Sequence, residues 1–309
     1  MQLENVIISD EKKFARLKQN IVNAGVSSLQ VVSDFDKTLT SCFVEGKKIT
    51  SLISILRDEH YLTPDYSAKA QALYDHYHPI EVDSNITLEA KKTQMHEWWR
   101  THYELLIASK LSKGDLNNVV QSQKIQLRPG ADAFFGSLKS AGVPLTILSA
   151  AGVGADAIAM YLERFNLLSS NVNIASNNFI WDEFGQAIAI ADPIVHTLNK
   201  DFNIVKQFSF FSELKNRRNV ILLGDALTDA NMLNGFEVEN VIKIGFLNED
   251  SQGKLLEYQR NFDVIILNDT SMNPVLTLFK QAFDTVILGD GPLTFINILL
   301  SEIVLENQK

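Results

Sequence analysis

Asp34 and Asp36 stand one residue apart at the end of the apolar run VVS (31–33), and Thr38 and Thr40 follow in the stretch DFDKTLT. Charge arriving abruptly at the end of a buried strand is costly unless something pairs with it. A second acidic pair, Asp225 and Asp229, follows VILLG (220–224) in the stretch GDALTDAN, and Ser149 ends PLTILS (144–149). Carboxylates gathered at one sheet edge repel one another unless a hard cation sits among them, and an all-oxygen donor set suits Mg²⁺. One carboxylate so held can attack phosphorus, while another passes a proton to the leaving oxygen. Singly, a strand-end aspartate reads as the N-cap of the next helix. DxDxT and GDxxxD together, on successive strand ends, point to phosphoryl chemistry.

The two aspartates of DFDKTLT leave a choice of register. Asp36 with Thr38 and Thr40 also fits the D-x-T-x-T of ion-pumping ATPases, which would make Asp36 the nucleophile. Position favours Asp34, because the apolar strand ends at Ser33 and Asp34 is the first residue able to project into a crevice beyond it. Asp36, two positions on, can protonate the leaving group from the same side. Ion pumps also need a membrane domain, and no stretch here approaches the ~20 apolar residues of a spanning helix.

Those residues must be positioned by strands and helices that alternate. Short apolar, β-branched runs recur at 29–33, 144–149, 172–176, 220–224, 241–245 and 263–267, as suits strands buried on both faces of a parallel sheet. Helical segments lie between most of them. One spans residues 10–24, with Ser9 as its N-cap and Gly25 just past its end, and another is GADAFFGSLKSAG (130–142). The pattern predicts an α/β fold, a doubly wound parallel sheet of Rossmann type. About 110 residues separate the first two of these strands, far more than a crossover needs. Residues 43–124 therefore read as a mostly helical cap inserted after the first core strand, over a core made of 1–42 and 125–309. Within it Thr63 would cap a helix starting at Pro64, and Thr87 one from Leu88 to about Ser109. Residues 177–192 read as a hairpin turning near Asp182 to Gly185.

Composition sets further bounds. A net charge of −9 argues against binding a nucleic-acid polymer, though not against small phosphorylated substrates, since a metal reverses the sign locally. Cys42 is the single cysteine, so no internal disulfide forms. The first residues, MQLENVIISDEKK, lack a signal-peptide pattern. A cytoplasmic protein without a membrane partner is expected, with a monomer as its default assembly. GVGADA (152–157) fits the dinucleotide fingerprint G-x-G-x-x-A, but the next strand, VNIASNN, ends without the acidic residue that would hold a ribose. Its glycines read instead as room for the backbone to approach a single phosphate.

DFDKTLT, HPIEVD (78–83), EWW (97–99), ILSAAGVG (147–154), VHTLNKD (195–201), GDALTDAN and IKIGFLNE (242–249) occur in the order and approximate spacing of a known family. The chain resembles, over roughly residues 10–280, the cytosolic 5′-nucleotidase III family, the pyrimidine 5′-nucleotidases, within the haloacid-dehalogenase-like phosphohydrolases. That resemblance implies a Mg²⁺-dependent 5′-nucleotidase acting on nucleoside 5′-monophosphates through an aspartyl-phosphate. Asp34 is then the nucleophile and Asp36 the acid and base. Asp34, Asp225 and the backbone carbonyl of Asp36 would hold the metal, with Asp229 bound through water or orienting the others. Lys200 would stand against the phosphate and Asp34, while the Ser149 hydroxyl and the backbone N–H groups of Ala150 and Ala151 grip phosphate oxygens at a helix N-terminus.

The cap would choose the base. Glu81 matches the family's substrate-selecting glutamate, and Trp99 its base-stacking aromatic, leaving Trp98 to the core. Tyrosine stands at the place of Trp99 in many pyrimidine-selective relatives, and tryptophan in those that also accept 7-methyl-GMP. Methylated guanine is cationic, and indole is the best cation–π partner. CMP, UMP and 7-methyl-GMP are the expected substrates. The run SLISIL (51–56) is aliphatic where relatives place a histidine or aromatic as the opposite wall. His76 and His78 lack a third metal ligand nearby. FINILLSEIVL (295–305) reads as an amphipathic helix packed on the core or on a partner subunit.

Overall fold

The computed structural model describes residues 5–49, 51–249, 253–269 and 271–272. Its strands in chain order are β1 Val6–Ile8, β2 Leu29–Ser33, β3 Phe43–Val44, β4 Lys47–Lys48, β5 Leu145–Leu148, β6 Val172–Ala175, β7 Asn178–Trp181, β8 Ala187–Ala191, β9 Asn219–Gly224, β10 Asn240–Leu247 and β11 Val264–Leu267. The helices are α1 Glu11–Ala24, α2 Leu52–Asp58, α3 Tyr66–Val82, α4 Leu88–Ala108, α5 Lys113–Gln121, α6 Ala131–Ser140, α7 Gly154–Arg164, α8 Phe202–Val205, α9 Phe211–Leu214 and α10 Lys254–Asn261.

Seven strands form one sheet in the order β1-β11-β10-β9-β2-β5-β6, all parallel except β1, which pairs antiparallel with β11 at the edge. The six apolar runs legible in the sequence are the six parallel strands. Val31, Val32, Leu145, Ile147, Val220 and Leu222 have no exposed surface, which is why the runs are continuous rather than alternating. β1 has three residues and no such signature, so the insertion follows the first parallel strand, not the first strand. From β2 the chain winds outward to β5 and β6 on one side and, later, to β9, β10 and β11 on the other. The crevice beyond the carboxyl ends of β2, β5 and β9 is thus the switch point at which such sheets bind ligands.

Two helix starts differ from the sequence expectation. Asp10, not Ser9, caps α1, its carboxylate accepting from Lys13 N at 2.9 Å; the Ser9 hydroxyl donates instead to the Phe262 carbonyl at 2.8 Å. A carboxylate also complements the positive end of the helix. α3 starts at Tyr66 after a turn through Thr63 and Pro64. It then continues through Pro79 to Val82, so Glu81 lies on a helical turn rather than in a loop. The Lys91 ammonium covers the Glu81 carbonyl at 2.8 Å, satisfying one of the last acceptors of α3. Thr87 caps α4 as expected.

Helices α2 to α5 lie between β2 and β5 in the chain, within residues 43–124. α3 packs along α4, and α5 touches both α2 and α7. The β7–β8 hairpin, turning at Asp182 to Gly185, packs on α4 through β8 and through the edge contact of Phe179 with Tyr103, 5.4 Å between centroids. Among the described residues no helix is long and apolar enough to cross a membrane. The FINILLSEIVL stretch lies outside the described residues.

Candidate active site

Asp34 is the first residue past β2, and its backbone N–H still donates to Leu223 O of β9 at 3.0 Å. The sheet ladder therefore fixes where its carboxylate emerges. Lys200, brought in by the loop before α8, donates to Asp34 Oδ1 and, at 2.8 Å, to Asp229 Oδ1. The other Asp229 oxygen accepts from the backbone N–H groups of Asp225 and Ala226 at 3.1 and 3.0 Å. Asp229 thus anchors both the ammonium and the turn after β9. Tyr258 donates its hydroxyl to the Asp225 carbonyl from α10.

The electrostatics follow from this crowding. Burial pushes the Asp34 carboxyl up to about 7, against the pull of Lys200. Burial, then the charges of Asp34 and Asp229, hold Asp225 well above the usual carboxylate range. Burial lifts Asp36 to about 6, with Lys37 and Lys200 opposing. Burial works against the Lys200 ammonium, yet the carboxylates of Asp229 and Asp34 outweigh it and raise its pKa. Asp34, Asp225 and Asp229 each offer an oxygen, and these atoms lie within 4.8 Å of one another. Three converging hard donors, only partly neutralised by one lysine, fit a divalent cation. His76 and His78 belong to no such group among the described residues.

The loop after Asp36 is pinned by a residue the sequence did not single out. Arg128, 1% exposed, donates to the carbonyls of Lys37 and Thr38, to Asn248 Oδ1, and pairs with Asp269 at 3.0 Å. Asp269 in turn accepts from the N–H groups of Cys42 and Phe43, both at 2.8 Å. No local pattern marks this arrangement, whose partners lie far apart in the chain.

A cavity of about 420 Å³ at the switch point is lined by Asp34, Asp36, Asp225 and Asp229, and by Ser149, Ala150 and Lys200. Seven of the eight residues singled out for catalysis, metal and phosphate therefore meet in one place, and Ala151 is the exception. Two details differ from expectation. α7 begins only at Gly154, so Ser149 and Ala150 sit in the loop before it, and Ala151, outside the cavity lining, uses its carbonyl to accept from Tyr103 and from Gly154 N. The glycines of GVGADA are closely approached by protein. A Cβ at Gly152 would meet Ile53 of α2 at 3.0 Å, and one at Gly154, where φ is +80°, would meet Asn177 O at 3.0 Å.

An adjoining cavity of about 510 Å³ lies among α2, α3 and α4, lined by Glu81, Trp98 and Trp99 among others, and it shares Ser51, Ser54 and Thr197 with the first. Trp98 and Trp99 stack on each other at 5.5 Å and 17°. Both are half-buried and both line the cavity, with Trp98 also stacked on Tyr77 at 5.7 Å and Trp99 packed against the core. The aliphatic SLISIL wall is joined by Tyr66 and Tyr74 from α3. Thr197, which lies in the VHTLNKD stretch but was not singled out there, donates to Glu81 Oε1 at 2.6 Å.

With this geometry in place, comparison with known proteins is direct. A profile of the pyrimidine 5′-nucleotidase family, UMPH-1, matches residues 37–283. The chain is 35% identical over 276 residues to the 7-methylguanosine phosphate-specific 5′-nucleotidase of Gallus gallus, covering 89% of this chain and 95% of that one. It is 33% identical over 268 residues to the Homo sapiens protein of the same name, covering 85% and 89%. The crystal structure of cytosolic 5′-nucleotidase IIIB bound to cytidine superposes with a TM-score of 0.82 at 26% identity, covering 91% of this chain and 94% of that one. Substrate-bound phosphoserine phosphatase shares the fold alone, with a TM-score of 0.50 at 15% identity over 81% and 96% of the two chains. The chain therefore belongs to the pyrimidine 5′-nucleotidase family, UMPH-1, on a haloacid-dehalogenase-like α/β fold, and is an enzyme of the 5′-nucleotidase class.

Proposed function

We propose that this protein is a Mg²⁺-dependent 5′-nucleotidase that hydrolyses CMP, UMP and 7-methyl-GMP to nucleoside and phosphate through an aspartyl-phosphate on Asp34. The carrying observation is that the carboxylate-lined cavity and the aromatic cap cavity adjoin through Ser51, Ser54 and Thr197. One substrate can thus place a phosphate among the carboxylates and a base among the tryptophans.

Asp34 attacks phosphorus, the bond to the ribose 5′-oxygen breaks, and Asp36 gives that oxygen a proton. Asp36 then takes a proton from the water that attacks the aspartyl-phosphate, freeing phosphate and restoring Asp34. A group held near 6 can serve in both protonation states close to neutrality. The Lys200 ammonium favours the ionised Asp34 and faces the phosphoryl oxygens, with the Ser149 hydroxyl and the Ala150 N–H beside it. Asp34, Asp225 and the Asp36 carbonyl would hold Mg²⁺, Asp229 completing the site through water or through its grip on Lys200. The ion would supply charge neutralisation at the phosphoryl oxygens.

Residues 43–124 act as the substrate-selecting cap, with Glu81 accepting from N–H groups of the base and Trp99 stacking on it. The names of the Gallus gallus and Homo sapiens relatives support the methylated substrate, and the cytidine-bound neighbour supports a pyrimidine. The neighbour's name also fits a cytosolic location. A phosphate-release screen over nucleoside monophosphates and sugar phosphates, with Mg²⁺ and with chelator, tests the proposal. Nucleotides should lead, and only with metal; preferred turnover of sugar phosphates would overturn it.

A further inference from the structure

The cap cavity carries polar atoms that the proposed function leaves unused. Tyr66, at the start of α3, is 1% exposed, and its hydroxyl has no hydrogen-bond partner among the described residues. His102, three residues past Trp99 on α4, is 6% exposed, and its Nε2 is likewise unpartnered. Their rings lie 6.4 Å apart, centroid to centroid, and both line the 510 Å³ cavity that contains Glu81 and Trp99. A buried polar atom left without a partner costs ~1–3 kcal/mol. Two of them on one wall of a ligand-sized cavity are placed to be satisfied by what enters it.

The chemistry of that wall is one-sided. Arg57 of α2 lines the same cavity, and its positive charge acts on both Tyr66 and His102. Burial, and after it that charge, keep the His102 imidazole neutral, so one ring nitrogen carries a hydrogen, and the tautomer with it on Nε2 makes that atom a donor. A phenol, a guanidinium and an imidazole N–H are all donors, and they suit a carbonyl oxygen. Glu81, in the same cavity, offers only acceptors.

We infer that Tyr66 Oη and His102 Nε2 form a second base-recognition element, donating to a carbonyl oxygen of the nucleobase while Glu81 accepts from its N–H groups. This rests on the nucleotidase reading above and sharpens it. The substrate class becomes bases with both a carbonyl and an N–H or amino group, which includes cytosine, uracil, guanine and 7-methylguanine. Adenine, with an amino group and no carbonyl, is rejected because the two donors stay buried and unpaired.

The test compares kcat/KM for CMP and 7-methyl-GMP with that for AMP and purine riboside 5′-monophosphate, which lack a carbonyl. Ribose 5-phosphate, which has no base, is the reference for each variant. Tyr66→Phe removes one oxygen and keeps the ring. It should lower the preference for carbonyl-bearing substrates about tenfold, the worth of one hydrogen bond. His102→Leu should act alike, and His102→Gln, which restores an N–H donor, should recover part of the preference. An unchanged preference in Tyr66→Phe and His102→Leu, in an enzyme that turns over CMP, would overturn this inference alone. Failure of the unaltered protein to hydrolyse any nucleoside monophosphate would overturn both it and the nucleotidase reading.

Discussion

Thr197 Oγ1 lies 2.6 Å from Glu81 Oε1, tying the loop that carries Lys200 to the last turn of α3. The second Glu81 oxygen is 3.3 Å from His78 Nδ1, so the carboxylate is held from both sides. One hydroxyl thereby links the residue proposed to read the base with the segment that delivers the ammonium to Asp34. Removing it by Thr197→Val keeps the shape of the side chain and frees Glu81 to turn. KM for CMP should rise about three- to tenfold, with kcat changed less, and Thr197→Ser should restore it. Steady-state kinetics on the three proteins checks this; an unchanged KM in Thr197→Val would show that Glu81 needs no such support.

The second expectation concerns the metal. Asp34, Asp225 and Asp229 present converging oxygens that repel one another when ionised. Mg²⁺ at about 100 times its dissociation constant should stabilise the fold by ~2.7 kcal/mol, read as a rise in Tm. Asp225→Asn should lose most of that rise, and Ca²⁺ should support activity poorly because its longer, looser coordination misplaces the attacking carboxylate. Full activity in excess chelator would rule out the metal.

His102 gives the protein an acid-sensitive core. Burial, helped by the Arg57 charge, holds its pKa down to about 4 against an ordinary 6.5. Between those values the unfolded chain binds a proton that the folded chain refuses, so stability is full above pH 6.5 and lost as pH falls toward 4. The loss is ~3 kcal/mol at the bottom of that window. Urea unfolding at pH 7 and pH 4.5 should show a smaller difference for His102→Gln than for the unaltered protein. Equal differences would mean that His102 is not held neutral.

Much of the fold was legible because a strand covered on both faces has to be largely apolar, and VVS, LTIL and VILLG are, with only Ser33 and Thr146 polar among them. The site was legible from a combination, since a lone strand-end acid also reads as a helix cap, whereas DxDxT and GDxxxD at two strand ends together point to phosphoryl chemistry. Local choices were harder. Ser9 and Asp10 are both good caps, and only the distant Phe262 carbonyl decides that Ser9 is occupied elsewhere. Pro79 brings no N–H to α3, yet the helix runs on to Val82, where the Lys91 ammonium covers the Glu81 carbonyl. The parts that Arg128, Thr197, Tyr66 and His102 take were not legible in the sequence. Their meaning lies in partners, or missing partners, that only folding brings near.

The tryptophan pair bears on which base is taken. Trp99 stacks near-parallel with Trp98 and meets His102 edge-on at 5.8 Å. Trp99→Ala should weaken 7-methyl-GMP more than UMP, by ~1–2 kcal/mol in KM, because the cationic base gains most from an indole face. If GMP and 7-methyl-GMP are turned over equally well, and Trp99→Ala affects neither, Trp99 serves only packing.

The most direct measurement asks whether phosphate passes through Asp34. Asp36→Asn removes the proton donor and the group that activates water, so it should be slow and accumulate phosphoprotein. After acid quench of a reaction with CMP and Mg²⁺, peptide mass spectrometry should place the phosphate on the peptide containing Asp34. Asp34→Asn should remain folded, form no adduct and release no phosphate. Phosphate release by Asp34→Asn at the rate of the unaltered protein, with no adduct in any variant, would contradict nucleophilic attack by Asp34.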